Sequence, residues 1–290
     1  MAGGLKEVRS RIVSVQSTRQ ITQAMKMVSA AKLRRAQDAI TRMRPYAEKL
    51  QEILANVSAT LDAGEGVYAQ EREVRNVLIV AVTSNRGLCG GFNNNVLKEI
   101  RRQIREDYAG VNVKVLPLGK KAFDQFKQTA HHVGNDFGAT PFDIFDQLTF
   151  ARTGAIADQL MSEFAGGKFD KVVVVYNSFK NAAMQEVRAE QMLPVVAPKG
   201  DAAPSDYIFE PNREEILERI IPNSIRTQLF KALLDSFASE HGARMTAMHK
   251  ATDNATDLLK ELKLTYNKAR QAAITNEILE IVGGAEALNG

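Results

Sequence analysis

Gly87, Gly90 and Gly91 fall between an aliphatic run, Val77–Thr83, and a stretch with Val96, Ile100, Ile104 and Tyr108 at steps of four. A glycine-rich turn between a strand and a helix can aim its backbone amides at a phosphate. The spacing matches neither GxxxxGK[ST] nor GxGxxG, no Lys follows to reach a phosphate, and no carboxylate is placed for a ribose. The plain reading is a tight strand–helix turn. A Rossmann-like nucleotide-binding enzyme using the Gly87–Gly91 loop is kept as the alternative. Cys89 in that loop would stand near a helix N-terminus, where a thiol can become a nucleophile. No signature surrounds it, and a small buried thiol is the better expectation. His131 and His132 would point to opposite faces of a strand. His241 and His249 are eight apart in a helical pattern without a third ligand, so neither pair has metal-site spacing. Asp253, Asp257 and Glu261, beside Lys250, Lys260 and Lys263, have the look of the wet side of a helix.

Charge is a stronger signal than any catalytic grouping. Between Lys6 and Arg35 lie Lys6, Arg9, Arg11, Arg19, Lys26, Lys32, Arg34 and Arg35 against Glu7 alone. That surplus of seven exceeds the whole chain's +4. A segment this basic is either a solvated face or one that expects nucleic acid, anionic lipid or an acidic protein surface. Nothing aromatic interleaves the cations and no nucleic-acid-reading fold is evident, so a nucleic-acid partner is disfavoured.

The elements that carry these residues show two periods. Met245, Met248, Thr252, Ala255, Leu259, Leu262, Tyr266, Ala269 and Ala273 recur at steps of three and four, a heptad seam for a helix packed on a helix. Pro222-Asn223-Ser224 gives a break followed by good N-cap residues, so this helix is expected to start there. Its length to Val282 would be about 60 residues, roughly 90 Å. At the other end Leu5, Val8, Ile12 and Val15 begin a similar seam. It slips to Ile21, Met25 and Val28, then continues through Ala36, Ile40, Met43, Ala47, Leu50, Leu54, Val57 and Leu61. The phase passes through Pro45 unbroken, which implies a kink rather than an end. The two terminal helices should pair antiparallel.

Between them the pattern becomes α/β. Strands are expected at Val77–Thr83, Val111–Leu118, His131–Val133, Lys171–Tyr176 and Gln185–Pro194, with Tyr207–Phe209 a short addition. Helices are expected at Ala122–Gln128, Thr153–Phe164 and Arg213–Ile221, and Ala197–Asp206 is a loop. Alternating strands and helices imply a Rossmann-like domain with a largely parallel sheet. The divisions are 1–61 for the first coiled-coil helix, 77–210 for the central α/β foot and 211–290 for the second coiled-coil helix. The 290 residues are 44% apolar and 25% charged, an ordinary soluble composition. No aliphatic run is long enough to span a bilayer. The N-terminus has no apolar signal core, so export is not expected. A single cysteine excludes an internal disulfide and fits a reducing compartment.

Several strings are familiar. Lys6-Glu7-Val8-Arg9-Ser10-Arg11-Ile12, Thr18-Arg19-Gln20-Ile21-Thr22-Gln23-Ala24-Met25-Lys26-Met27-Val28, Arg86-Gly87-Leu88-Cys89-Gly90-Gly91, and Tyr266-Asn267-Lys268-Ala269-Arg270-Gln271-Ala272-Ala273-Ile274-Thr275 with Glu277-Ile278 resemble the gamma subunit of the rotary, proton-translocating ATP synthase of bacterial type. The match runs in order over essentially the whole chain; the loop at Ala197–Asp206 departs from it most. The resemblance implies a non-catalytic rotor shaft. It would stand inside a ring of three alpha and three beta subunits, with its foot on the epsilon subunit and the membrane c ring. Proton flow would turn that ring and drive ATP synthesis on the neighbours. No cofactor would be bound by this chain; ATP, ADP and Mg belong to alpha and beta. The place implied is the cytoplasmic face of the bacterial inner membrane, peripherally, without a membrane span. By position, Met25 and Lys26, with Arg9 and Arg11, would face acidic loops of beta. Arg270, Gln271, Thr275 and Ile278 would meet the loops around the upper shaft, and Tyr207, Phe209 and Glu210 the epsilon subunit and c ring.

One expectation of the paired helices is an overhang. If pairing starts at Asn223 opposite Arg44, Leu5 lies opposite residue 262 and about 20 residues of the second helix project, on the order of 30 Å. The glycine turn yields a direct test. Calorimetry on the isolated chain should show no tight ATP binding, because the turn lacks the gripping Lys and hydroxyl. Micromolar binding abolished by Gly90→Ala or Gly91→Ala would restore the enzyme reading.

Overall fold

A computed structural model describes residues 2–58, 67–134, 141–195 and 213–289. The elements are α1 (Ala2–Ser58), β1 (Asn76–Val82), α2 (Phe92–Arg105), β2 (Asn112–Leu118), α3 (Lys120–Phe126), a 3-10 turn (Pro141–Phe145), α4 (Phe150–Ala165), β3 (Lys171–Phe179), β4 (Gln185–Leu193) and α5 (Arg213–Asn289). They form two units: residues 1–29 with 245–290, and residues 30–244.

The first unit is an antiparallel helix pair. The hydroxyls of Thr22 and Thr252 meet at 2.8 Å, and Lys26 Nζ lies 3.3 Å from His249 Nδ1, so the numbers fall on one helix as they rise on the other. The α5 seam is the expected one, with Met248, Ala255 and Leu259 buried and Leu262, Tyr266, Ala269 and Ala273 half-buried. The α1 seam corrects the expectation. Ile21 and Val28 are 60% and 57% exposed, and the inward line runs without a slip through Val15, Arg19, Thr22, Met25 and Ser29. Small hydroxyl residues occupy the seam here. Thr22 and Ser29 return their protons to the carbonyls of Arg19 and Met25, which removes the cost of burying them.

The register also differs. Counting from Thr22 opposite Thr252 sets Leu5 opposite Ala269 rather than residue 262. The difference is one heptad, which leaves every seam residue in phase, so periodicity cannot detect it. Beyond this point α5 continues to Asn289, and Ile274, Ile278, Leu279, Ile281 and Val282 are exposed, Ile281 to 68%.

The second unit is a three-layer sandwich. Its sheet has the order β2-β1-β3-β4, with β1 parallel to both neighbours and β4 antiparallel on β3. Alternation along β1 sends Leu78, Val80 and Val82 into a core with Leu160 and Phe164 of α4 and Ile225, Leu229 and Leu233 of α5. Val77, Ile79 and Ala81 face Val96 and Ile100 of α2 and Ala122 and Phe126 of α3. The strands start in step because Asp170, just before β3, accepts from the backbone N–H groups of Arg75 and Asn76 at 3.0 and 2.8 Å.

Two expectations change here. Pro222 does not begin a helix; α5 runs through it from Arg213. The missing N–H and ring clash cost about 3 kcal/mol, and the burial of Ile221, Ile225 and Leu229 around it offsets that cost. His131–Val133 is not a strand but a single parallel bridge, Val115 with His132. Its side chains spend themselves locally, His131 Nδ1 on the Val113 carbonyl, and Gly134 at φ +80° turns the chain away. The stretch Tyr207–Phe209 and the loop Ala197–Asp206 lie outside the described residues.

Gly119 joins β2 to α3 at φ +135°, and a Cβ there would stand 2.1 Å from the Thr83 carbonyl oxygen. Gly119→Ala should therefore cost about 3 kcal/mol or abolish folding. Gly110→Ala, at φ +82° but in open space, should cost only about 1 kcal/mol. Urea denaturation midpoints that fall equally for both would show that the close approach is not the cause.

Candidate functional site

In open α/β sheets ligands bind at the carboxyl ends of the strands, where the strand order reverses. Here that point is the end of β1, between β2 and β3, and the chain's own groups occupy it. The N-terminal amides of α3 are already satisfied by the residues just after β1: Thr83 Oγ1 accepts from Ala122 N (2.9 Å), the Ser84 carbonyl from Lys121 N (3.2 Å) and Asn85 Oδ1 from Lys120 N (3.1 Å). An anion would have to displace these oxygens.

The loop 84–91 is filled in the same way. Asn93 accepts from Ser84 N at 2.9 Å and donates to Ser84 Oγ at 2.8 Å and Cys89 Sγ at 3.1 Å. Cys89 is buried with Phe92 and Ala243, and burial pushes its thiol above the usual range, as expected of a small buried thiol and contrary to a nucleophile. From α5, Arg244 donates to the carbonyls of Arg86 (3.0 Å) and Gly87 (3.2 Å) and to Glu240 (2.5 Å). Ser239 donates to the Asn177 carbonyl, and Ser178 to Asp235. Gly242 lets the β3–β4 hairpin approach, since a Cβ there would lie 3.2 Å from the Cα of Ala182. The arrangement is a latch between α5 and the end of the sheet, with loop carbonyls rather than amides engaged.

His241, beside this latch, has no hydrogen-bond partner on either ring nitrogen among the described residues and stands edge-on to Phe237 at 4.5 Å. Burial, aided by the charges of Arg244 and Lys32, lowers its pKa to about 3. Burial raises the neighbouring Glu240 carboxyl in spite of Arg244. His249 lies on α5 against Lys26 and Asp253 instead. Among the described residues no three His, Cys, Asp or Glu side chains gather as a metal site.

The residues assigned to partner contacts are placed as follows. Arg9 and Arg11 are exposed on α1, and Met25 and Lys26 are half-buried at the seam. Arg270, Gln271, Thr275 and Ile278 are exposed on α5, the first two opposite the first turn of α1 and the last two beyond it, and steps of four and three put Gln271, Thr275 and Ile278 on one face. Lys26 reaches α5 through His249. Tyr207, Phe209 and Glu210 lie outside the described residues. The latch around Arg244, Glu240, Asn93 and Ser84 escaped sequence reasoning. Its one signal was a run of polar residues, Ser236, Ser239, Glu240, His241 and Arg244, in a stretch of α5 that also carries the buried Leu229, Ala232, Leu233, Leu234, Ala238 and Ala243.

The family model described as ATP synthase matches residues 4–288. The ATP synthase gamma chain of Flavobacterium johnsoniae is 62% identical over 290 residues, covering 99% of both chains. That of Cytophaga hutchinsonii is 52% identical over 295 residues, covering 98% of this chain and 99% of the other. A chain in the cryo-EM structure of the Tetrahymena thermophila mitochondrial ATP synthase central stalk and c-ring is 26% identical, with a TM-score of 0.56 over 80% of this chain and 99% of that one. A chain from the Euglena gracilis mitochondrial ATP synthase in rotational state 3 shares the fold, with a TM-score of 0.66 at 21% identity over 99% of this chain and 95% of that one.

His241 gives the latch a signature in acid. Its folded pKa, about 3, is below the unfolded 6.5, so between these values the unfolded chain holds a proton that the folded chain lacks. Stability therefore falls as pH drops from 6.5 towards 3, by up to about 1.4 kcal/mol per pH unit. Subtracting the stability profile of His241→Leu from that of the unaltered chain should isolate this slope, because the raised carboxylates are common to both. A difference that is flat with pH would mean that His241 is not buried in its neutral form.

Proposed function

The chain belongs to the ATP synthase gamma-chain family, and from that membership we propose how its exposed residues serve the complex. It is the central stalk of a rotary ATP synthase, a subunit of the complex and not itself its catalyst. No helix among the described residues is long and apolar enough to cross a membrane. The observation that carries the functional reading is the stretch of α5 past Ala272. Among the described residues no helix lies opposite it, and it exposes large apolar side chains that follow Arg270 and Gln271 and flank Thr275.

In this reading the uncovered stretch turns inside a sleeve of three alpha and three beta subunits, which hold ATP, ADP and Mg and carry out the chemistry. Apolar side chains from Ile274 to Val282 suit a smooth bearing, because they leave water without bonding to any one partner. Arg9, Arg11, Met25 and Lys26 work lower down, against acidic loops that change as the shaft turns. Exposed ion pairs of about 0–1 kcal/mol can form and break at each step. Segments 1–61 and 211–290 act as the shaft, and 77–210 as the foot. There Tyr207, Phe209 and Glu210 meet the epsilon subunit and the c ring at the cytoplasmic face of a bacterial inner membrane. The nucleotide-enzyme alternative is set aside, since the chain's own oxygens and side chains occupy the strand ends it would need.

The test separates coupling from folding. Arg9→Ala, Arg11→Ala and Lys26→Ala together should lower proton pumping per ATP hydrolysed in the reconstituted complex. The melting free energy of the isolated chain should change by no more than about 0.5 kcal/mol for each of the exposed Arg9 and Arg11, and by about 1 kcal/mol for Lys26, which is half-buried beside His249. If stability fell in parallel with coupling, these residues would be structural.

A further inference from the structure

On the face of the second unit away from α5, helices α2 and α3 leave a cleft of about 450 Å³ between them. Lys98 and Arg101 form one wall, Lys121, Asp124 and Gln125 the other, and Leu97 the floor. Charge is unevenly spread here. α2 has four cations, Lys98, Arg101, Arg102 and Arg105, against Glu99, and α3 has Lys120 and Lys121 against Asp124. Among these, Arg102 is fully committed at the far end of α2, where it engages Glu99, Glu106 and Asp107. Asp124 is engaged by Lys127 at 3.5 Å. Arg101 donates to Gln125 across the cleft and so ties the walls together. The side chains of Lys98 and Lys121 have no hydrogen-bond or ion-pair partner among the described residues.

We propose that this cleft docks a carboxylate-bearing segment of a partner protein. Two ammonium groups on opposite walls, with an apolar floor between them, match Asp or Glu side chains, whose methylenes can lie on Leu97 while their oxygens reach Lys98 and Lys121. The fixed guanidinium of Arg101 adds a planar donor. A nucleic acid fits less well, because no aromatic side chain stands in the lining to stack a base. Such contacts steer encounter more than they add affinity, and they weaken within a Debye length of about 8 Å at physiological salt. The inference rests on the reading that the chain works inside an assembly, but it uses none of the residues assigned above to the shaft.

Carbodiimide coupling tests it, because the reagent joins an amine to a carboxylate only where the two already touch. In the purified ATP synthase complex, Lys98 or Lys121 should become amide-linked to an Asp or Glu of another polypeptide, as mapped by mass spectrometry. Acetylation of both lysines should be about tenfold slower than in the isolated chain. Lys98→Arg with Lys121→Arg should assemble normally but give no cross-link, since guanidinium does not couple. Lys98→Glu with Lys121→Glu should melt like the unaltered chain and lose the segment. If both lysines are as reactive in the complex as alone, the cleft is open and the proposal fails. Protection without any carboxylate cross-link would also overturn it, pointing to a phosphate-bearing occupant. A chain that does not assemble with other subunits would refute the proposed function instead.

Discussion

Arg244 and Glu240, one helical turn apart on α5, are buried together with their charged groups 2.5 Å apart. Taking two charges out of water costs several kcal/mol per ion before their attraction is counted. Being neighbours on one helix, they need no distant partner to neutralise each other. The remaining donors of the guanidinium are free to fix something else, and they fix the carbonyls of Arg86 and Gly87. From that grip come the closed shape of the loop, the position of Asn93 beneath it and the burial of Cys89. Removing either charge would leave the other stranded, so the loop, the end of β1 and the buried run of α5 stand or fall as a unit.

The long helices illustrate how far hydrophobic period can be trusted. On α5 the period named the seam residue by residue from Met245 to Ala273. On α1 it failed where apolar side chains were placed for something other than the partner helix. Ile21 and Val28 have the right spacing and the wrong face, and Arg19, Thr22 and Ser29 fill the seam instead. The register error hid for a different reason, since the expected and observed registers differ by a whole heptad and leave the seam in phase. Pro222 misled for a related reason: a local penalty of known size was outweighed by burial that no local window contains.

The α/β unit was more legible than its polar interior. Four of its strands and three of its helices stand close to where alternation and apolar steps of four put them. The sheet order and the antiparallel edge came only from the structure. The latch was illegible because it is made of hydrogen bonds between residues far apart in sequence, such as Arg244 with Arg86 and Ser239 with Asn177. Pattern reading scores side chains by hydrophobicity, and a polar residue that has found a buried partner is scored like one in water. The glycine loop was therefore correctly read as a turn, but the contacts that hold it shut were not foreseen.

The bare end of α5 has a consequence for the economy of the cell. A helix that displays Ile274, Ile278, Leu279, Ile281 and Val282 to water presents the surface that chaperones hold and that proteases of quality control recognise. Each copy made in excess of the proteins that cover it meets that machinery first. A copy left without the proteins that cover it keeps those side chains in water, so its lifetime should depend on how soon it is assembled.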